Sequence, residues 1–258
     1  MRVGHGRHSS SFEYFGKEVS MRPVTKALNG ALAKIGFKIT RIPPVSGAGP
    51  HSVLFRNKAV ADLEQLVRAA EHIPGMLSED SAKFLFALCY MQQIEGDVVE
   101  IGSWQGYSTS FLARAVAELG KGRLYAIDHF KGNAGKESFY IAQAPDLSDL
   151  QNNFRDNMRK VGLGETVTLL AMSNADAAQR LRKEGVSIRF LFIDGDHTKE
   201  GVQKDVNLFF PFLKRGSIVV FDDCSPHAQG VIDVIDELFR QRVCERAFAF
   251  SNTLVAML

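Results

Sequence analysis

The chain has 258 residues, enough for one full α/β domain with an appendage but tight for two. Apolar residues make up 45 % and charged residues 23 %, the proportions of an ordinary globular protein, and no apolar run approaches the ~18 residues of a membrane span. The net charge is only +2, and the basic residues are not interleaved with aromatics, which argues against a nucleic-acid partner.

The charge is unevenly distributed. Between Val19 and Ala61 lie Arg22, Lys26, Lys34, Lys38, Arg41, Arg56 and Lys58 with no acidic residue. Met1–Ser11 is polar and basic with no apolar core behind it, so no secretory signal is expected and the protein is expected in the cytoplasm. Cys89, Cys224 and Cys244, odd in number and widely spaced, form neither a disulfide framework nor a zinc pattern. Cys89 reads as core, and Cys224 as a candidate lining residue of the acidic site described below.

Residues 1–60 read as an extension belonging to no regular sheet. Within it Val24, Ala27, Leu28, Ala31, Leu32 and Ile35 fall at helical spacing between Pro23 and Gly36, one amphipathic helix with Lys26 and Lys34 on its polar side. Such a helix suits packing on its own domain or a partner subunit, or peripheral contact with an anionic membrane. Arg41–Pro50 reads as a Pro/Gly linker. The domain boundary is accordingly set between 1–60 and 61–258.

Helices are expected over Ala59–Ala70 and Ser78–Gln93, the second opening on an N-cap serine and an acidic first turn. From Asp97 onward strands and helices alternate, which predicts a parallel sheet. Strands are placed at Val98–Ile101, Leu124–Asp128, Val167–Ala171, Ile188–Asp194 and Ser217–Asp222. Helices fall at Tyr107–Leu119, Leu147–Val161, Ala175–Glu184, Lys199–Leu213 and Val231–Arg242. The last two strands, Ala247–Phe250 and Leu254–Leu258, are separated by only Ser251-Asn252-Thr253 and must be antiparallel.

The strand Phe190-Leu191-Phe192-Ile193 stops abruptly at Asp194-Gly195-Asp196-His197, and Ser217–Phe221 stops at Asp222-Asp223. Two neighbouring parallel strands would thus bring four carboxylates and an imidazole to the sheet edge where open α/β folds bind ligands. Carboxylates so crowded repel one another unless a cation lies among them or some stay protonated, and a hard divalent metal is the simplest resolution.

Glu100-Ile101-Gly102-Ser103-Trp104-Gln105-Gly106 links the first buried strand to its helix. Gly102 and Gly106 allow a sharp turn and close approach to a ligand, but Trp104 and Tyr107 stand where a dinucleotide fingerprint needs glycine. Asp128, at the end of the next strand, is placed to accept from both hydroxyls of a ribose, or else to cap a loop. Ser173, after the third strand, is placed to flank an adenine. Phe130–Pro145 reads as a long loop beside this edge, a lid whose Lys131, Lys136, Tyr140 and Gln143 are candidates for substrate contact.

In this order and spacing, Glu100-x-Gly102-x-x-x-Gly106-Tyr107-Ser108, Asp128, Ser173, Asp194 and Asp222-Asp223 resemble the class I S-adenosylmethionine-dependent methyltransferases. Phe192–Val202, Pro211–Gly216 and Phe221-Asp222-Asp223 are similar to the metal-dependent O-methyltransferases related to the catechol, caffeoyl-CoA and macrolide-sugar enzymes. The resemblance covers about residues 75–258. It implies a Rossmann-like doubly wound sheet of seven strands, order 3-2-1-4-5-7-6, mostly parallel with a C-terminal antiparallel strand.

Carried onto this sequence, the resemblance puts Glu100, Gly102, Ser103, Trp104, Gly106 and Ser108 at the methionine part of S-adenosylmethionine, Asp128 at the ribose and Ser173 at the adenine. Asp194 would border the cofactor and, with Asp222 and Asp223, hold Mg²⁺ or another divalent cation. The family often has Asn at the position of Asp223 and a glycine at that of Trp104. His197, three residues beyond Asp194, stands where the catechol-type enzymes have their general base, and a neutral imidazole suits that task near pH 7. Asp196 reads as a helix cap, and His129 and His227 as lower-ranked candidates for substrate contact. The implied activity is O-methylation of a sugar or similar polyol in glycan or natural-product assembly, by a homodimer acting on a small-molecule or glycan acceptor. A catechol or phenolic acceptor is the enzymatic alternative, and a non-catalytic scaffold retaining the fold is the alternative from another class. An NAD-dependent oxidoreductase is disfavoured by the missing glycines and the absence of a Tyr-x-x-x-Lys pair.

Overall fold

The computed structural model describes residues 32, 37–42, 51–132, 149–244 and 246–258. It begins with an antiparallel pair, β1 (Phe37–Ile42) and β2 (His51–Arg56), which runs directly into α1 (Asn57–Ala70) and lies against α1 and α2 (Glu79–Met91). The expectation that residues 1–60 contain no sheet is therefore corrected: Lys38, Thr40 and Arg41 stand in a strand, and Arg41-Ile42 are not linker. The β-branched Ile39, Thr40 and Ile42 are the strand signal that the reading of residues 1–60 overlooked. The amphipathic helix at Val24–Ile35, apart from a helical Leu32, lies outside the described residues, as do residues 43–50 of the linker.

Next come β3 (Asp97–Ile101), α3 (Tyr107–Leu119), β4 (Leu124–Ile127), α4 (Leu150–Lys160), β5 (Val167–Leu170), α5 (Asn174–Lys183), β6 (Ile188–Ile193) and α6 (Lys199–Phe209). The chain closes with β7 (Leu213–Phe221), α7 (Gln229–Arg240), β8 (Arg246–Phe250) and β9 (Thr253–Met257). The main sheet has seven strands in the order β5-β4-β3-β6-β7-β9-β8. Counted within the sheet this is 3-2-1-4-5-7-6, parallel except for β9, which pairs antiparallel with both β7 and β8. The Rossmann-like fold class read from the sequence is the one observed.

Helices cover both faces, as the apolar run Phe190–Ile193 of β6 requires. Phe190 and Phe192 point to the side of α1–α4, where Phe86, Phe111 and Phe154 pack. Leu191 and Ile193 point to the side of α5–α7, with Leu181, Val206, Phe209 and Val234. Ile188 shares this second face with Leu191 and Ile193 although strict alternation would put it on the first. The pairing of β6 with both neighbours skips Arg189, so Arg189 is the extra residue of a bulge, and the bulge flips the face. The guanidinium of Arg189, wholly buried, donates from Nη1 to the carbonyls of Cys89 (2.9 Å) and Gln92 (3.0 Å), satisfying the carbonyl end of α2.

Local sequence sets the helix ends. Ser78 Oγ accepts from the Ser81 N–H at 3.1 Å to start α2, a cap worth about 1 kcal/mol. Helix α6 stops at Phe209, and Phe210–Phe212 form a 3-10 turn around Pro211, which cannot donate a helical hydrogen bond. Leu213 thus opens β7 instead of closing a helix, and β7 is longer at its start than the Ser217–Asp222 expected. Among the described residues no helix is long and apolar enough to cross a membrane. Of the expected lid Phe130–Pro145, residues 133–145 lie outside the described residues.

Candidate active site

At the carboxyl ends of β3, β4, β5 and β6 a cleft opens to solvent. Gly102, Ser103, Trp104 and Ser108 line one part of it, Asp128 and Asn174 another, and Asp194 and His197 a third. The segment Pro74–Leu77 closes it from the start of α2, a wall that the sequence did not reveal because nothing local couples it to the sheet edge.

The β3–α3 loop is built for close approach. Gly102 has φ +86, and a Cβ there would lie 1.8 Å from the backbone oxygen of Asp194. Only glycine lets the first and fourth parallel strands of the sheet end so near each other. Gly106, the N-cap of α3 with φ +93, faces Phe154 and Met158 of α4, so its role is packing of the loop from behind. Trp104 sits at φ +41, a region that costs a non-glycine residue free energy, and its N–H donates to Asp128 Oδ2 at 2.8 Å.

Asp128 also accepts from the N–H of Phe130 at 2.6 Å, and Phe130 too has positive φ. One carboxylate thus fixes two strained backbone positions on the cleft rim. This is the loop-capping role the sequence left open beside the ribose, and a carboxylate with about four lone-pair sites can still accept from a ligand hydroxyl.

Glu100 is completely buried beneath the cleft. It accepts from Ser108 Oγ (2.6 Å) and Thr109 Oγ1 (2.5 Å), and burial, opposed by these bonds, pushes its pKa up to about 7. Ser108 therefore connects Glu100 to the cleft surface. Ser103, almost fully buried, is also hydrogen-bonded to Glu100. Ser173 caps α5, accepting from the Asp176 N–H and donating to Asp176 Oδ2, so its hydroxyl is engaged there and the adjoining cleft wall is Asn174. Asn174 is held in turn by the buried Asp205, whose Oδ1 accepts from Asn174 Nδ2 at 2.6 Å.

The acidic end brings β6 and β7 together. His197 Nδ1 lies 3.1 Å from Asp223 Oδ2, and Nε2 lies 3.5 Å from Asp194 Oδ1. Asp194, His197 and Asp223 each place one ligand atom within 4.8 Å of the others, a spacing suited to a single cation. Burial, then Asp222 and Asp223, raises the Asp194 pKa well above the carboxylate range. Burial likewise raises Asp222, whose Oδ1 accepts from Thr253 Oγ1 at 2.8 Å. This donor set, oxygen-rich and mutually repelling, fits a hard divalent ion better than an empty site.

Asp196 accepts from the Thr198 N–H at 2.9 Å and so caps the turn into α6, as expected. His129 lines the cleft, whereas His227 is exposed in a short 3-10 turn. Cys224 is half-buried, and burial pushes its thiol pKa up, so it is not a thiolate near neutral pH. Asn252 and Thr253, which touch the acid pair from the C-terminal hairpin, were not singled out from the sequence. Their involvement depends on the antiparallel register of β9 on β7, which a short turn alone does not reveal.

Residues 99–224 match the family model described as a methyltransferase domain. Among solved structures, an O-methyltransferase from Bacillus cereus in complex with SAH superposes with a TM-score of 0.54 at 18 % identity, covering 77 % of this chain and 91 % of that one. The O-methyltransferase NovP superposes with a TM-score of 0.60 at 16 % identity, covering 77 % and 98 %. CalS11, a TDP-rhamnose 3'-O-methyltransferase of calicheamicin biosynthesis, superposes at 0.52 with 14 % identity, covering 80 % and 96 %.

Proposed function

We propose that the chain is a divalent-cation-dependent O-methyltransferase that moves a methyl group from S-adenosylmethionine to a hydroxyl of a sugar or similar polyol, a reading supported by the match of residues 99–224 to a methyltransferase-domain model and by the sheet order 3-2-1-4-5-7-6. The observation that supports this most is the convergence of Asp223 with Asp194 and His197, the two of them that line the cleft. S-adenosylmethionine supplies an electrophilic methyl group, and a divalent cation makes an acceptor hydroxyl easier to deprotonate. Asp194, Asp222 and Asp223 are the proposed metal ligands, with Mg²⁺ as the ion.

The remaining work falls to the chain's own residues. With Nδ1 of His197 donating to Asp223, Nε2 is the basic nitrogen of the neutral imidazole, and His197 is assigned as the group that takes the hydroxyl proton. The Gly102–Trp104 backbone and Ser108, backed by Glu100, are assigned to the methionine part of the cofactor, Asp128 to the ribose and Ser173 with its neighbour Asn174 to the adenine. Holding donor and acceptor in line at fixed separation is what such a rigid loop contributes to the rate. The sugar acceptor rests on the branch resemblance and on the likeness to CalS11, whose own substrate is a nucleotide-linked sugar.

The catalytic unit is proposed to span 61–258, preceded by the basic extension 1–60, whose last residues from Asn57 open α1. A cytoplasmic homodimer with a small-molecule or glycan acceptor, no nucleic-acid partner and peripheral membrane contact through the extension completes the reading. Methyl transfer from labelled S-adenosylmethionine to a panel of nucleotide sugars, polyols and catechols, with and without Mg²⁺, tests it. Mg²⁺-dependent labelling of a sugar is the expected result. Labelling of catechols alone would replace the acceptor class, and tight cofactor binding without transfer to any hydroxyl would overturn the reaction.

A further inference from the structure

Helix α6 carries a buried carboxylate that the proposed reaction does not use. Asp205 is almost fully buried where α5 packs on α6. Its Oδ1 accepts from Asn174 Nδ2 at 2.6 Å, and its Oδ2 lies 3.3 Å from where a Cβ on Gly195 would stand. Asn174 and Gly195 both line the cleft, so Asp205 stands behind the wall between the ends of β5 and β6. Keeping a carboxylate there costs free energy: burial, opposed chiefly by the Asn174 bond, raises its pKa to about 6. Above that value it is ionised and can only accept.

An acceptor-only partner decides which way the Asn174 amide faces. Nδ2 must turn to Asp205, because the reverse orientation would set two acceptor oxygens against each other in a buried place with no proton between them. The backbone of Asn174 is fixed as well, since it is the first residue of α5 and follows the N-cap Ser173, whose Oγ accepts from the Asp176 N–H at 3.2 Å. With backbone and amide both held, Oδ1 is the acceptor that Asn174 offers to a ligand in the cleft.

We infer that Asp205 is a positioning residue that locks the Asn174 amide with its oxygen available to the cofactor's base, so that the cleft takes a 6-amino purine, which donates there, and rejects a 6-oxo purine, which does not. The inference rests on the cofactor reading above, with adenine at Asn174, and deepens it by naming the residue that sets base selectivity. An amide free to turn would serve either base, because it carries a donor on one side and an acceptor on the other. Selectivity here comes from the carboxylate that forbids the second orientation, an element acting against the wrong ligand.

Calorimetric titration of the full-length protein at a pH above the Asp205 pKa, with S-adenosylhomocysteine and separately with S-inosylhomocysteine, tests this in the wild type, Asp205→Asn and Asn174→Ala. The wild type binds the adenine ligand roughly 10–100-fold more tightly, the usual effect of leaving a buried polar group without its partner. Asp205→Asn keeps the shape but can donate as well as accept, so the two amides can turn together. S-inosylhomocysteine then binds about tenfold more tightly than to the wild type, and the preference shrinks to about threefold or less. Loss of packing alone would weaken both ligands and cannot produce that gain. Asn174→Ala weakens the adenine ligand and abolishes the preference. Thermal unfolding establishes that each variant is folded; Asn174, only half-buried, supplies the test even if Asp205→Asn does not fold. A wild type that binds both ligands equally, or a preference that persists in either folded variant, overturns the inference and leaves the methyltransferase reading intact. A wild type that binds neither ligand overturns both.

Discussion

Nδ1 of His197 lies 3.1 Å from Oδ2 of Asp223, linking the residue four places beyond one strand end of the sheet to the residue two places beyond its neighbour. The contact fixes the imidazole ring across the mouth of the cleft and sets which nitrogen carries the proton.

Replacing His197 by Ala should lower kcat by about 10²–10⁴-fold, the usual contribution of a positioned general base, while S-adenosylhomocysteine binding measured by calorimetry changes by no more than a few fold. Equal losses in kcat and in cofactor affinity would mean that His197 supports the cleft instead of moving a proton.

Glu100 predicts a pH dependence of stability. Its pKa is about 7 in the folded protein against an ordinary value of 4.5, so the folded state binds the proton more tightly than the unfolded one. Its contribution is most favourable below pH 4.5, declines as pH rises through the interval to about 7, and is flat above it. Glu100→Gln should flatten the fall in unfolding free energy between pH 4.5 and pH 8 by on the order of 3 kcal/mol. Urea unfolding at both values checks this, and parallel curves for the two proteins would refute it. Asp205 and Asp222, also raised by burial, slope the same way in both proteins and cancel in the comparison.

Gly102→Ala should destabilise by at least about 3 kcal/mol, since positive φ and a collision with backbone coincide. The Asp194 oxygen 1.8 Å from the added methyl group cannot rotate away. Gly120, with φ +68 and nothing within 4 Å of an added Cβ, is the control. There Ala meets only the left-handed backbone cost of about 1–2 kcal/mol. Similar urea midpoints for the two variants would show that the two strand ends can separate without penalty.

The sheet was legible from the sequence because its central strands are apolar on both faces and end abruptly at Asp194, Asp222 and Asp128. Periodicity reports burial directly, and acid directly after a buried strand reports an edge. The hairpin Phe37–Arg56 was missed because Pro43, Pro44 and the glycines that follow dominate a short polar stretch whose pairing is decided by α1 and α2. The same limit hid Arg189, which reads as an interruption of an apolar strand until the bulge and the end of α2 give it partners.

For the site, sequence alone determined which chemistry assembles at the sheet edge: the glycine turn at Gly102 and Gly106, Asp128, and the carboxylates with His197. These are set by residue type and by distance from a strand end, both local properties. Only the tertiary structure decided how each group is used. It gave Asp128 to the backbone of Trp104 and Phe130, put Ser173 into a helix cap with Asn174 on the cleft wall, and brought Asn252 and Thr253 against Asp223 and Asp222. Those assignments depend on which strand lies beside which and in what register, and a hydrogen bond across 29 or 31 residues of sequence leaves no local trace in either partner.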